Sequence, residues 1–118
     1  MGVTGIGGLF FRAKDPKALG AWYLEHLGVG GPCGMWETQA GTTVFQPFKA
    51  DTDYFPADRQ WMLNLRVDDR DAIKACLEAA GIEVKTDPEW DQPGVGKFAR
   101  IHDPEGNPIE LWEPDAGE

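Results

Sequence analysis

The chain repeats itself, and that repeat restricts its fold more than any single motif does. Arg12 to Val29, RAKDPKALGAWYLEHLGV, and Arg66 to Val84, RVDDRDAIKACLEAAGIEV, share a strand end, an acidic cap, a helix, a glycine stop and a following Val or Ile. One residue of slip falls inside the helix. The closing segments align as well: GTTVFQ against GNPIEL sets Val44 beside Ile109 and Phe45 beside Glu110. Each unit reads as a strand, a helix and two or three antiparallel strands, and neither is long enough to bury its own sheet. Two units packed edge to edge give an α+β fold. Its two βαβββ repeats form one cupped mixed sheet, with the helices on the outer face and a hollow inside the curve. The domain spans 3–114, with repeat one over about 4–48, a linker over about 49–59 and repeat two over about 60–114.

Local patterns assign the elements. Gly5 to Ala13 reads as a strand with Leu9, Phe11 and Ala13 on one face and Gly8, Phe10 and Arg12 on the other. Asp15 caps a helix with Pro16 at its first position, an apolar stripe of Leu19, Trp22, Tyr23 and Leu27, and a stop at Gly28. His26 lies near the end of that helix, in a surface role favoured by the helix dipole. Met35 to Gln39 and Thr42 to Phe48 read as a hairpin joined at Ala40-Gly41. Lys49 to Arg59 is a polar connection whose paired rings, Tyr54 and Phe55, need something to pack on, and it can fold over the cup as a lid. In the second repeat, Trp61 to Val67 is a strand and a helix runs from the Asp68-Asp69 caps through Ala80, burying Ile73, Ala75, Cys76 and Leu77. Strands follow at Ile82 to Val84, extending towards Trp90, then Gly96 to His102 and Pro108 to Trp112.

The final stretch, IHDPEGNPIELWEP, contains the one residue that alternation leaves to be explained. Asp103 to Asn107 has the Pro, Gly and Asn content of a chain reversal. In the strand after it, Ile109 and Leu111 share one face, and Pro108, Glu110 and Trp112 the other. Glu110 therefore faces either bulk water or a cavity. By the same alternation Phe10, Arg12, Phe45, Met62, Asn64, Arg66, Phe98, Arg100 and Trp112 join it inside the cup, with Trp36 from the hairpin. Apolar walls with a few convergent polar groups make a small-molecule site. A carboxylate there needs an arginine partner from Arg12, Arg66 or Arg100, or it serves as a general acid or base. An arginine–glutamate network that merely braces the sheet is the structural alternative.

Composition narrows the function classes. The 118 residues carry 20 acidic against 11 basic side chains, a net charge of -9, which argues against nucleic acid and against an anionic membrane as partners. The surplus serves solubility, or more pointedly attracts cationic ligands. Cys33 and Cys76 form no CxxC pattern and read as reduced thiols, neither a disulfide framework nor a thiolate metal site. The first residues lack a signal-peptide pattern, and Ile6 stands where an acylation motif needs Ser or Thr. No apolar run reaches membrane-spanning length. A cytoplasmic protein is expected.

On RAKDPKALGAWYLEHLG and DPEGNPIELWEP, and on the repeat from Gly5 to Pro114, the chain resembles the vicinal oxygen chelate superfamily, which includes glyoxalase I, bleomycin-resistance proteins and extradiol dioxygenases. The resemblance implies paired βαβββ units, a homodimer, and a cup that holds a small molecule and often a divalent metal. It also implies metal ligands on the first and last strands of each repeat. Here those positions are Gly8, Met62, Phe45, with Gln46 adjacent, and Glu110, and only Glu110 is a usual ligand. A metal would have to recruit Asn64 or His102 to Glu110. Three readings follow. One is a glyoxalase-type lyase or isomerase acting next to a carbonyl, with Glu110 moving the proton. Another is a metal-free, bleomycin-resistance-like protein that sequesters an aromatic or cationic compound. The third is a partner domain without chemistry.

Overall fold

A computed structural model describes residues 1–115. Helix α1, Pro16–Leu27, starts as its sequence requires. The Asp15 side chain accepts from the backbone N–H of Ala18 at 3.1 Å. The chain leaves the helix through Gly28 at φ 66°, a left-handed turn that glycine adopts without a Cβ penalty. Helix α2, Arg70–Ala79, repeats the device, with Asp69 accepting from Ala72 N at 3.0 Å.

The strands assemble around the end of the chain. Strands β1 (Leu63–Arg66), β2 (Gly96–His102) and β3 (Pro108–Pro114) form a mixed sheet in the order β1-β3-β2. Strand β3 runs parallel to β1 and antiparallel to β2. Its register is Leu63↔Ile109 and Leu65↔Leu111 on one side, and Ala99↔Leu111 and Ile101↔Ile109 on the other. Facing residues of a ladder share a side of the sheet, so these apolar rows form one surface. Leu19 and Tyr23 of α1, Leu77 of α2 and Val84 pack into the same cluster. That surface is the core, and both helices contribute to it.

The turn between β2 and β3 tethers the first half of the chain. Asp103 accepts from the backbone N–H groups of Glu105 (2.9 Å) and Asn107 (3.0 Å) and from the Asn107 side-chain amide (2.8 Å), which closes the turn. Its other contact is the Tyr23 hydroxyl, donating at 2.7 Å from α1. Glu105 accepts from the backbone N–H groups of Lys14 and Asp15 at 2.7 and 3.1 Å. A five-residue reversal thus holds the entrance and middle of a helix some 80 to 91 positions away in sequence.

Several expected elements take another form. Among the described residues, 5–13, 35–39 and 42–48 form no β-ladder, so the first-repeat strand and the Ala40-Gly41 hairpin are absent as hydrogen-bonded structure. The reason is visible in their surroundings. Phe10 is 95% and Phe45 84% exposed, so alternation there has no opposing layer to act on. The expected Ile82 to Trp90 strand shrinks to a single bridge, Lys85↔Arg100, because the segment then turns at Asp87 to Trp90. In α2, Leu77 is buried and Ile73 half-buried, while Ala75 and Cys76 face outward. Helical periodicity admitted too wide a stripe there.

Leu111 is fully buried in the central strand, so Leu111→Ala should cost about 2–5 kcal/mol of unfolding free energy, as lost transfer energy plus the cavity left behind. Gly96 sits at φ 142°, where an added Cβ would lie 2.1 Å from the Glu113 carbonyl oxygen. Gly96→Ala should destabilise as well. Urea denaturation followed by far-UV circular dichroism checks both.

Candidate functional site

The face of the sheet opposite the core has the expected polar rows. Asn64, Glu110 and Arg100 stand side by side across β1, β3 and β2, and Arg66, Trp112 and Phe98 form the next row. The alternation that buries Ile109 and Leu111 places Glu110 on this face. Glu110 and Arg100 are each only 8% exposed. Something must therefore satisfy a buried carboxylate and a buried guanidinium.

The 49–59 connection does much of that. Tyr54 donates its hydroxyl to Glu110 Oε2 at 2.5 Å, and Asn64 donates its amide N–H to Glu110 Oε1 at 2.7 Å. Burial and the adjacent Glu110 carboxylate push the Tyr54 phenol up to about 12, because ionising it would set two negative charges against each other. Arg100 makes no ion pair with a carboxylate among the described residues, so the expected arginine–glutamate bridge is not how Glu110 is satisfied. Its Nη2 donates to the Tyr54 carbonyl oxygen at 2.8 Å, its guanidinium carbon lies 4.8 Å from the Tyr54 ring centre, and its Nε–H is buried without a partner. Trp90 meets the Tyr54 ring edge-on at 6.2 Å, and Phe48 lies 5.8 Å from it.

The remaining candidates divide. Phe98 and Trp112 stack at 6.4 Å with ring planes 6° apart, and the Trp112 indole N–H donates to the Val95 carbonyl at 2.9 Å. Arg66 is committed elsewhere: it donates to the carbonyls of Thr42 (2.6 Å) and Gln39 (2.8 Å), holding the loop where a hairpin turn was expected. Arg12 is exposed beside Lys14 and Arg59, near the tethering turn, and does not reach Glu110. Trp36 and Phe45 remain on the surface, and Met62 is half-buried just before β1. Trp90 escaped sequence reasoning because it was taken as the end of a strand. Its aromatic character was its only signal.

The donor set does not suit a metal ion. Among the described residues no three His, Cys, Asp or Glu side chains converge. Both Glu110 oxygens already accept hydrogen bonds, and their cross-strand neighbour is a cation. His102, the other candidate, pairs with Pro108 across the sheet with its side chain largely open to solvent, and partial desolvation of the imidazole, then Arg100 and Lys85, disfavour its charged form.

Known proteins share this arrangement of sheet and helices. The sequence model of a family described as glyoxalase-like domain matches residues 8–112. The chain belongs to that glyoxalase-like domain family. Its fold is therefore that of the glyoxalase and bleomycin-resistance proteins within the vicinal oxygen chelate superfamily, as the repeat and closing motif implied. An antibiotic binding protein, TnmS3, from Streptomyces sp. CB03234 is similar in structure. It is 27% identical with a TM-score of 0.63, over 98% of this chain and 99% of that one. A glyoxalase/bleomycin resistance protein from the same organism is 28% identical with a TM-score of 0.52, over 85% of this chain and 92% of that one. No curated protein sequence matches significantly. Among the described residues no helix is long and apolar enough to cross a membrane.

The phenol at Glu110 gives this glyoxalase-like chain a particular alkaline response. The Tyr54 hydroxyl loses its proton at about 12 in the folded protein against the ordinary 10.0. Between those values the unfolded chain has released a proton that the folded chain still binds, so stability falls as pH rises. Burial and Asp103 raise the Tyr23 phenol in the same direction. From about pH 8 up to pH 10 the phenols contribute a constant amount to the unfolding free energy, which should decline above pH 10. Tyr54→Phe should show a shallower decline, read from urea midpoints between pH 9 and 11.5.

Proposed function

We propose that this glyoxalase-like protein binds a neutral aromatic compound in the cup of its sheet, without a metal, and holds it rather than transforming it. The observation that supports this most is the state of Glu110. The carboxylate that would serve a lyase as acid or base is buried, accepts from two neutral donors and has a guanidinium beside it, within a wall of Tyr54, Trp90 and Phe48. Such a setting recognises polar edges and aromatic faces. The antibiotic binding protein that covers 98% of this chain favours the same reading. Arg100, stacked on Tyr54, weighs against the cationic ligands that the overall acidity would attract.

The reading includes a homodimer acting in the cytoplasm. Phe10, Trp36, Val44 and Phe45 expose apolar surface on segments that form no ladder among the described residues, which a second copy would cover. The two cysteines are free and exposed, consistent with a reducing compartment. The lyase reading is retained for one reason, the short hydrogen bond between Tyr54 and Glu110, which offers a proton donor to a reacting carbonyl.

Titration with 2-methoxynaphthalene, followed by tryptophan fluorescence, should saturate at one molecule per chain with a Kd below about 100 μM, or roughly 5.5 kcal/mol of binding free energy. Absence of saturable binding by both this probe and 2-naphthol, to the wild type and to Tyr54→Ala, would end the proposal. Light scattering of the same sample should give twice the chain mass. In a thermal scan of metal-stripped protein, nickel, zinc, cobalt, manganese and ferrous iron should leave Tm unchanged, because a ligand at a hundred times its Kd would add ~2.7 kcal/mol. A metal that raises Tm in wild type but not in Glu110→Ala would restore the lyase.

A further inference from the structure

Tyr54 is bound in the way a ligand would be. Its ring lies 4.8 Å from the Arg100 guanidinium carbon, edge-on to Trp90 at 6.2 Å and 5.8 Å from Phe48. Its hydroxyl donates to Glu110 at 2.5 Å and its backbone carbonyl accepts from Arg100 at 2.8 Å. Ring, donor and acceptor are the features by which a cup selects a small aromatic molecule. Here the chain itself supplies all three, from a connection that carries no helix or strand.

The fit is incomplete, and the gap identifies the occupant it stands for. Arg100 is 92% buried, yet its Nε–H has no hydrogen-bond partner. A buried guanidinium with an idle donor is rare, because the desolvation cost is left uncompensated. Tyr54 offers Arg100 a single acceptor, its own carbonyl, which Nη2 takes and Nε does not. A free molecule in the same seat is not bound by that geometry and can present oxygen to Nε while its ring lies against the guanidinium. Removing Tyr54 also takes away one of the two donors of the Glu110 carboxylate. Any molecule that displaces the phenol without replacing its O–H leaves a buried anion short of a hydrogen bond.

We infer that Tyr54 is a built-in plug standing in for a hydroxylated aromatic ligand, which enters by displacing it, donates its own O–H to Glu110 and lays its ring against Arg100. This rests on the cup being an aromatic binding site, and it adds the ligand's chemical class and the competition it meets. The observed affinity of such a ligand is its intrinsic affinity reduced by the fraction of chains whose seat is open. A plug that loses its anchor raises that fraction. Phe48 and Trp90 remain in place to receive the incoming ring.

The test compares 2-naphthol with 2-methoxynaphthalene, which has the same ring system and oxygen but no O–H. Tyr54→Ala should tighten 2-naphthol at least tenfold relative to wild type and bind it at least tenfold more tightly than the methoxy compound. Tyr54→Phe keeps the ring and loses only the anchoring hydroxyl, so it should tighten 2-naphthol at least threefold, and this variant carries the test if Tyr54→Ala does not fold. Unchanged or weaker binding in the folded variants would make Tyr54 a wall of the site and overturn the plug, while the aromatic-binding reading stood on the wild-type affinity. Equal gains for both probes would overturn the hydroxyl selectivity. Failure of both probes to bind any of the proteins would remove the aromatic-binding reading and the plug together.

Discussion

Everything in this fold depends on the register of β3 between its two neighbours. Because Ile109 faces Leu63 and Ile101 while Glu110 faces Asn64 and Arg100, one strand supplies the centre of the core and the centre of the polar face in alternate residues. A slip of one residue would exchange the two, placing a carboxylate among Leu19, Leu65 and Leu77 and exposing two branched aliphatic side chains. Burial of the apolar row is what forbids the slip. The polar row is therefore positioned by hydrophobic burial, and its own hydrogen bonds refine an orientation already imposed from the other side of the sheet.

The second half of the chain was largely legible in its sequence, and the reason is that its signals agree. Asp69, Leu77 and Gly81 mark the second helix, the Asp103 to Asn107 cluster marks a reversal, and strict alternation from Pro108 to Trp112 assigns the two faces. Each has a local physical cause. The first half gave equally clear alternation at Gly5 to Ala13 and Thr42 to Phe48, but a strand also needs a partner for its N–H and C=O groups. Periodicity reports faces and says nothing of whether a neighbour is present. Phe10 and Phe45 were thus assigned to a cup wall and instead lie on the surface.

The site was legible in part for a related reason. Strand alternation found Asn64, Phe98, Arg100, Glu110 and Trp112, since these lie on three paired strands whose register the core enforces. It also placed Arg66 on this face, where the guanidinium donates to the backbone of the 39–42 loop. It offered an arginine partner for Glu110 as one of two readings, and a phenol and an amide do that work instead. Opposite charges on adjacent strands suggest an ion pair, but a guanidinium stacked on an aromatic ring is held by a different geometry. Tyr54 was marked as a ring in need of a surface, on a segment able to fold over the cup, but not as the partner of Glu110, because no local pattern links a loop residue to a strand 56 positions later.

The tethering of α1 to the reversal between β2 and β3 has a consequence for how the chain acquires its structure. Tyr23 finds Asp103, and the backbone at Lys14 and Asp15 finds Glu105, across separations of 80 to 91 residues, whereas β2 and β3 meet across a short turn. Contacts at such separations cost more closure entropy than the β2–β3 turn does, and non-local pairing of this kind slows folding. During synthesis α1 and the apolar segments that follow it leave the ribosome well before their anchors exist. Until Asp103 and Glu105 emerge, those segments are the part of the nascent chain most in need of a chaperone's cover.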